Sequence, residues 1–189
     1  MSKCNIMESN TKKYFWNHAG TAGLLLGLIS SAAMLIGQYF STVQMPNFGA
    51  LLISSILWLA ETVSCIGLMC IYMKRFTFEF PEAEAKKIFR FGSAIAFLSA
   101  VVYATVTFAN IAYISADFFN TQFQILAQQL APTLDSNSKS VMDMIISNMP
   151  QIAFVSNLIY CTIFGTIVSS IITRGFIAKK AMSENTIEE

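Results

Sequence analysis

Charged residues are scarce in this chain. Lys, Arg, Asp and Glu together make up 12% of its 189 residues, whereas a soluble domain of this size carries about 25%. The net charge is +1, and the basic residues form no concentrated patch of the kind that binds nucleic acid. The composition therefore argues against a soluble globular domain and against a nucleic acid partner.

Residues that carry catalytic or metal chemistry are also few. The chain has one histidine, His18, and four cysteines without a CxxC pair. It contains no HExxH motif, no phosphate-binding loop and no recognisable pairing of a nucleophile with a base. We therefore predict no metal site, no disulfide, no cofactor and no enzymatic activity.

Long apolar runs dominate the rest of the chain. Hydrophobic residues make up 54% of it, and a helix of about 20 apolar residues crosses the hydrocarbon core of a bilayer. We predict one all-α integral membrane domain over residues 1–189, folded as a four-helix transmembrane bundle whose partner is the lipid bilayer. Its predicted transmembrane helices are residues 19–40, 50–73, 88–115 and 151–174.

The distribution of Lys and Arg predicts the orientation. Three of the twelve precede the first run, five lie between the second and third, and three lie at or after the end of the fourth. Only Lys139 lies between the third and fourth runs. Because cytoplasmic loops carry the excess of basic residues, both termini are predicted to be cytoplasmic.

Residues 116–149 are predicted to form two short amphipathic helices on the extracytoplasmic side. The first has an apolar stripe at spacings of four, three and four residues, formed by Phe119, Phe123, Leu126 and Leu130. On the cytoplasmic side, Phe76, Phe78 and Phe80 alternate with polar residues. We interpret that stretch as a flexible connector on the lipid headgroups, with the third helix starting near Glu82.

Glu61 is the only charged residue inside the second apolar run. A carboxylate at the centre of a spanning helix costs roughly 2.5 to 3.5 kcal/mol on insertion scales, so such residues face a bundle interior or a wet cavity. No Lys or Arg lies within an apolar run to neutralise it, which favours the neutral acid. The residues that share its helical face should also point inward, and these are Ser54, Trp58, Ser64 and Cys65.

Depth along the helices sorts the polar residues into two layers. The central layer contains Ser30, Glu61, Tyr103 and Tyr160, and the layer toward the outside contains Gln38, Ser54, Asn110 and Asn157. We hypothesise that Tyr103 or Tyr160 hydrogen-bonds to Glu61. The alternative is that these groups only hold helices together, at about 0.6 to 2 kcal/mol per bond.

Small residues recur at four-residue spacing in three of the runs. Such stripes allow helix backbones to approach closely in lipid. They predict either packing within the chain or a homodimer interface, and the residues concerned are Gly23, Gly27, Gly92, Ala96, Gly165 and Ser169.

Three segments resemble an uncharacterised four-helix membrane family of Bacteroidota, a domain of unknown function. They are the Phe-, Gly- and Ala-rich entry into the third helix at residues 89–100, the Gln- and Met-rich outer loop at 117–149, and the final helix with its basic end at 165–180. The resemblance implies a bacterial inner-membrane location, and it implies no catalytic residues.

Two functions remain open at the level of sequence. The first is a non-enzymatic accessory or assembly protein that binds another membrane or envelope protein. The second is a small dimeric proton-coupled carrier or channel with Glu61 as the titrating site, which requires a polar cavity around that residue.

Overall fold

The computed structural model describes residues 2–42, 47–130 and 135–185. Within these ranges the chain forms six α-helices and one π-helical segment. They are α1 (Ser2–Thr42), α2 (Asn47–Glu79), α3 (Ala85–Ala109), the π segment (Asn110–Ile114), α4 (Ala116–Leu130), α5 (Ser136–Ser147) and α6 (Met149–Asn185).

Four stretches of helix are long and apolar enough to cross a membrane. They are Lys12–Phe40, Ser55–Glu79, Ala85–Ile114 and Met149–Ala178. The prediction of an all-helical chain with four candidate transmembrane helices is therefore confirmed. α1, α2 and α6 extend past both ends of the apolar runs that predicted them, because a helix continues beyond the hydrocarbon as long as its backbone hydrogen bonds are made. α3 begins before its predicted run and ends at Ala109, where the π segment follows.

α3 is the central helix of the fold. It packs most extensively against α6 and then against α1, whereas α2 packs mainly against α1. α2 and α6 make few contacts with each other. The predicted four-helix bundle is therefore open on the side between α2 and α6.

Contacts show the directions of the first three helices. Phe15 near the start of α1 packs on Phe91 at the start of α3, and at the other end Gln38 contacts Asn110, so α1 and α3 run in the same direction. Phe15 also packs against Phe76 near the end of α2, so α2 runs in the opposite direction. We call the end that holds the starts of α1 and α3 the terminal end, and the opposite end the α4–α5 end.

The small-residue stripes lie at contacts within the chain. A Cβ placed on Gly23 or Gly27 of α1 would come 2.6 Å from the Cβ of a residue on α3, Leu98 or Val102 respectively. The same substitution at Gly165 of α6 would bring a Cβ 2.5 Å from that of Ala96 on α3. Glycine is required at these positions because no side chain fits between the backbones.

A second small-residue contact joins α3 to α6 near the terminal end. A Cβ on Gly92 would collide with the side chain of Ser169. The Ser169 hydroxyl donates a hydrogen bond to the backbone carbonyl of Phe89 at 3.1 Å. This polar bond between helices adds to the close packing that holds α6 on α3.

An aromatic cluster fills the terminal end of the fold. Phe76 of α2 stacks on Phe91 of α3 with ring centroids 4.4 Å apart. Tyr14 and Phe15 of α1 pack edge-on against Phe80 and Phe91 respectively, at 5.2 and 5.4 Å. Phe76 and Phe91 are fully buried, so this end is closed by packed rings.

This cluster corrects the prediction of a flexible connector. α2 remains helical through Glu79 and turns at residues 80–84, and α3 begins at Ala85 rather than near Glu82. The helical spacing puts Phe76 and Phe80 on the side that meets α1, while Phe78 is exposed. Burial of Phe76 between two helices favours helix over the alternating pattern that its local sequence suggests.

α4 and α5 lie between the third and fourth long helices, as two separate helical pieces. Asp135 caps α5, because its side chain accepts a hydrogen bond of 2.8 Å from the backbone N–H of Ser138. The Ser138 hydrogen bonds hold the pKa of Asp135 below its ordinary value. Neither α4 nor the described part of α5 contains a buried side chain.

Candidate functional site

A cavity of about 270 Å³ lies between α1, α2, α3 and α6, on the open side of the fold. Glu61 of α2 lies in its wall. The polar groups that line the cavity come from all four helices, and they are Ser30, Glu61, Thr62, Cys65, Ser99, Tyr103, Asn157, Tyr160 and Cys161.

Ser30 of α1 lines the cavity beside Glu61 and interacts with its carboxyl group. The Ser30 hydroxyl also lies 3.5 Å from the thiol of Cys65, one helical turn beyond Glu61. Ser30 belongs to the predicted central layer, and it approaches Glu61 from the neighbouring helix α1. A hydrogen bond from Tyr103 or Tyr160 to Glu61 stays a prediction.

The two predicted tyrosines also line this cavity. Tyr103 comes from α3 and lines the cavity with Glu61 and Cys161. Tyr160 comes from α6, is 69% exposed, and stacks on Phe164 with the ring planes 13° apart. The structure therefore brings Glu61, Tyr103 and Tyr160 to one cavity, with Tyr160 at its open side.

The predicted inward face of α2 is only partly observed. Trp58 and Cys65 line the cavity with Glu61. Ser64 is exposed and lies outside the cavity lining, so the prediction for that residue is wrong. The side chain of Ser54 falls outside the described residues. Because α2 packs along a narrow strip on α1, residues at the edge of the predicted face turn away from the fold.

A second cavity, of about 440 Å³, lies nearer the α4–α5 end. Asn110 of α3 is 1% exposed there, and its amide donates a hydrogen bond of 2.6 Å to the side-chain carbonyl of Gln38. Its own carbonyl accepts a hydrogen bond of 3.0 Å from the Ser115 hydroxyl. Gln38, Asn110 and Asn157 all line this cavity, which brings together three of the four residues of the predicted outer layer.

Asn110 is also the first residue of the π segment. Such single-turn π-helical segments occur frequently at functional sites, because they shift the hydrogen-bond ladder of a helix. The sequence contained no signal for this segment. The π segment brings the Ser115 side chain to that of Asn110. Because the sequence did not predict the segment, it did not predict this hydrogen bond.

Asn157 of α6 lines both cavities. The polar groups of the outer layer and those around Glu61 therefore meet at this one side chain. Two cysteines, Cys65 and Cys161, also line the cavity at Glu61, which we call the inner cavity. Their positions one turn after Glu61 and next to Tyr160 could have indicated this.

Among the described residues no group of three or more His, Cys, Asp and Glu side chains could hold a metal ion. The residues around the inner cavity include one carboxyl group, two phenols and two thiols, with no Lys, Arg or His. Such a site can exchange protons or bind a ligand by charge and stacking.

The family described as "Protein of unknown function (DUF4199)" matches residues 21–174, and the chain belongs to this family. The match covers all four candidate transmembrane helices in large part, and it confirms the resemblance to a family of unknown function. No match was found among the curated proteins or among the solved structures.

Proposed function

We propose that this member of the DUF4199 family is a non-enzymatic accessory or assembly protein that binds another membrane protein. We further propose that it lies in the bacterial inner membrane of Bacteroidota. In this proposal both termini are cytoplasmic, and α4 and α5 are on the opposite side. The observation that supports a partner is the open side of the fold between α2 and α6.

Apolar and aromatic side chains flank this opening, which we call the lateral cleft and define by Trp58 on α2 and Tyr160 and Phe164 on α6. Trp58 is 67% exposed. Polar groups within a bilayer require a partner because lipid tails offer no hydrogen bonds. A helix of another membrane protein in the lateral cleft would cover the rings and supply such a partner.

Photo-crosslinking in living cells tests this proposal. A photoreactive phenylalanine analogue is placed at Trp58 in one variant and at Phe164 in another. Both variants are expected to crosslink to the same membrane protein, so that the two adducts have equal mass and the partner is identified by mass spectrometry. Phe97 is the matched control position, because it is exposed on α3 and does not line the cavity. Crosslinks to lipid alone, or equal protein adducts at Phe97, would contradict the proposal.

A proton-coupled carrier or channel is the second candidate, and one observation favours it. Asn157 lines both the cavity at Glu61 and the cavity nearer the α4–α5 end, whereas the aromatic cluster fills the terminal end. We infer that Glu61 is reached from the α4–α5 end. A carrier requires such access to its ion-binding site from one side at a time.

The native cysteines of the inner cavity provide the test of this second candidate. In a chain carrying Cys4→Ser and Cys70→Ser, a membrane-impermeant thiol reagent is expected to modify Cys65 and Cys161 at least tenfold faster from the α4–α5 side than from the terminal side. Vesicles of opposite orientation provide the comparison. Equal rates from both sides, or no reaction from either, would exclude a route that is open on one side.

A further inference from the structure

We propose that the cavity at Glu61 is a binding site for a small amphiphilic organic cation. The positive group, a substituted ammonium, lies beside the Glu61 carboxylate, and the apolar part of the molecule lies against the aromatic rings of the lateral cleft. The proposal requires neither proposed function, but the ligand uses the rings that a partner helix would cover, so ligand and partner are expected to compete for the lateral cleft.

The charge of the cavity carries the first step of the argument. Glu61 is half-buried, and the neighbouring Ser30 is neutral. Among the described residues, no Lys, Arg or His lines the cavity. Without a cation nearby, a half-buried carboxyl group is favoured as the neutral acid. A cationic ligand beside Glu61 favours the ionised form instead, and the carboxyl proton is then released to the solvent.

The aromatic lining carries the second step. Four rings border the cavity, and they belong to three helices, as Trp58 on α2, Tyr103 on α3, and Tyr160 and Phe164 on α6. Ring faces attract organic cations, and tryptophan does so most strongly. A carboxylate together with several rings favours an organic ammonium ion over a metal ion, which would require several oxygen ligands.

Size and access define the class of ligand further. A volume of about 270 Å³ is close to the lower limit for a small-molecule pocket, so the ligand has roughly one ring and a substituted ammonium group. Because α2 and α6 stand apart, an amphiphile dissolved in the bilayer reaches the cavity sideways. The ammonium group belongs either to such a free amphiphile or to a lipid headgroup.

Trp58 serves as the reporter of binding. A Trp16→Phe variant retains Trp58 as its single tryptophan, and the protein is reconstituted in nanodiscs of phosphatidylglycerol, which has no ammonium group. Benzyltrimethylammonium is expected to change the Trp58 fluorescence saturably. Glu61→Gln, made in the same background, is expected to weaken this binding at least tenfold. Neopentylbenzene, the neutral molecule of the same shape, is expected to show no dependence on Glu61.

A second measurement keeps the test valid if Glu61→Gln does not fold. In otherwise unaltered protein carrying Cys4→Ser and Cys70→Ser, saturating benzyltrimethylammonium is expected to slow alkylation of Cys65 and Cys161 at least tenfold. Neopentylbenzene at the same concentration is expected to slow it less than twofold. Equal protection by the two molecules, or binding that Glu61→Gln leaves unchanged, would overturn the proposal.

The lipid composition distinguishes the two sources of the ammonium group. Half of the phosphatidylglycerol is replaced by phosphatidylcholine or, as the control of equal surface charge, by a galactosyl diacylglycerol, which has no ammonium group. Equal affinity for benzyltrimethylammonium in the two mixtures is expected if the natural ligand is a free amphiphile. A lower affinity with phosphatidylcholine than with the glycolipid would identify the lipid headgroup as the competing ligand. Both results support an ammonium site, because both require saturable binding that depends on Glu61.

Discussion

Gly92→Leu is expected to lower the free energy of unfolding by about 3 kcal/mol or more, which is the upper range for overpacking a close contact. Gly92 lies where α3 and α6 meet, and a Cβ there would collide with the Ser169 side chain and come 2.8 Å from the sulfur of Met73. Helices in lipid associate through close packing rather than through the hydrophobic effect. Separation of α6 from α3 therefore removes the largest contact of the fold. Unfolding in mixed micelles with increasing SDS, followed by tryptophan fluorescence, measures the change.

Gly67→Leu is the matched control for this substitution. A Cβ on Gly67 meets no atom within 4 Å, and leucine is favourable in a membrane helix. Its unfolding midpoint is expected to equal or exceed that of the natural chain. A second control combines Gly92→Ala with Ser169→Gly, which removes the side chain that the new Cβ would contact. The loss in free energy of unfolding of this double variant is expected to be smaller than the sum of the losses of the two single variants. Equal destabilisation at Gly92 and Gly67 would refute the close contact.

Phe91→Ala is expected to destabilise the protein by about 2 kcal/mol, the cost of a cavity of roughly 100 Å³ at about 24 cal/mol per Å³. Phe91 is fully buried, and it packs against both Phe76 and Phe15. The loss is smaller than in a soluble protein, because lipid is as apolar as this core and the transfer part of the cost falls away. The same unfolding measurement gives the result.

Phe97→Ala provides the comparison on the same helix. Phe97 is 49% exposed and lies outside the aromatic cluster, so its truncation leaves no enclosed cavity. We expect a change within about 0.5 kcal/mol, as for surface substitutions in general. If Phe97→Ala costs as much as Phe91→Ala, the aromatic cluster does not stabilise the terminal end.

The polar layers show how far depth along a helix can predict contacts. Counting residues placed Gln38 and Asn110 at one depth, and the structure joins them by a hydrogen bond of 2.6 Å. The same count placed Ser30 with Glu61, and these two residues line the same cavity. Depth follows from the constant rise of a helix. Depth gives no information on how each helix is rotated about its axis. It therefore could not show which of Ser30, Tyr103 and Tyr160 lies beside Glu61.

The aromatic residues at the end of α2 show the opposite case. Alternation over Phe76, Phe78 and Phe80 suggested a connector, but helix is favoured once rings from α1 and α3 surround Phe76. A local pattern of five residues contains no information about neighbours that are distant in sequence. The packing energy of this cluster therefore outweighs the local preference.

By itself the sequence determined that this chain is helical and has four helices able to cross a membrane. The length of an apolar run is a local property that can be compared directly with the thickness of the hydrocarbon core, and a spanning segment must form a helix to satisfy its backbone hydrogen bonds. Only the tertiary structure decided that α3 is central, that α2 and α6 stand apart, and that Glu61 faces a cavity between them. In lipid both faces of a helix are apolar, so periodicity does not reveal which face packs. Close contacts such as the one between Gly92 and Ser169 decide it instead.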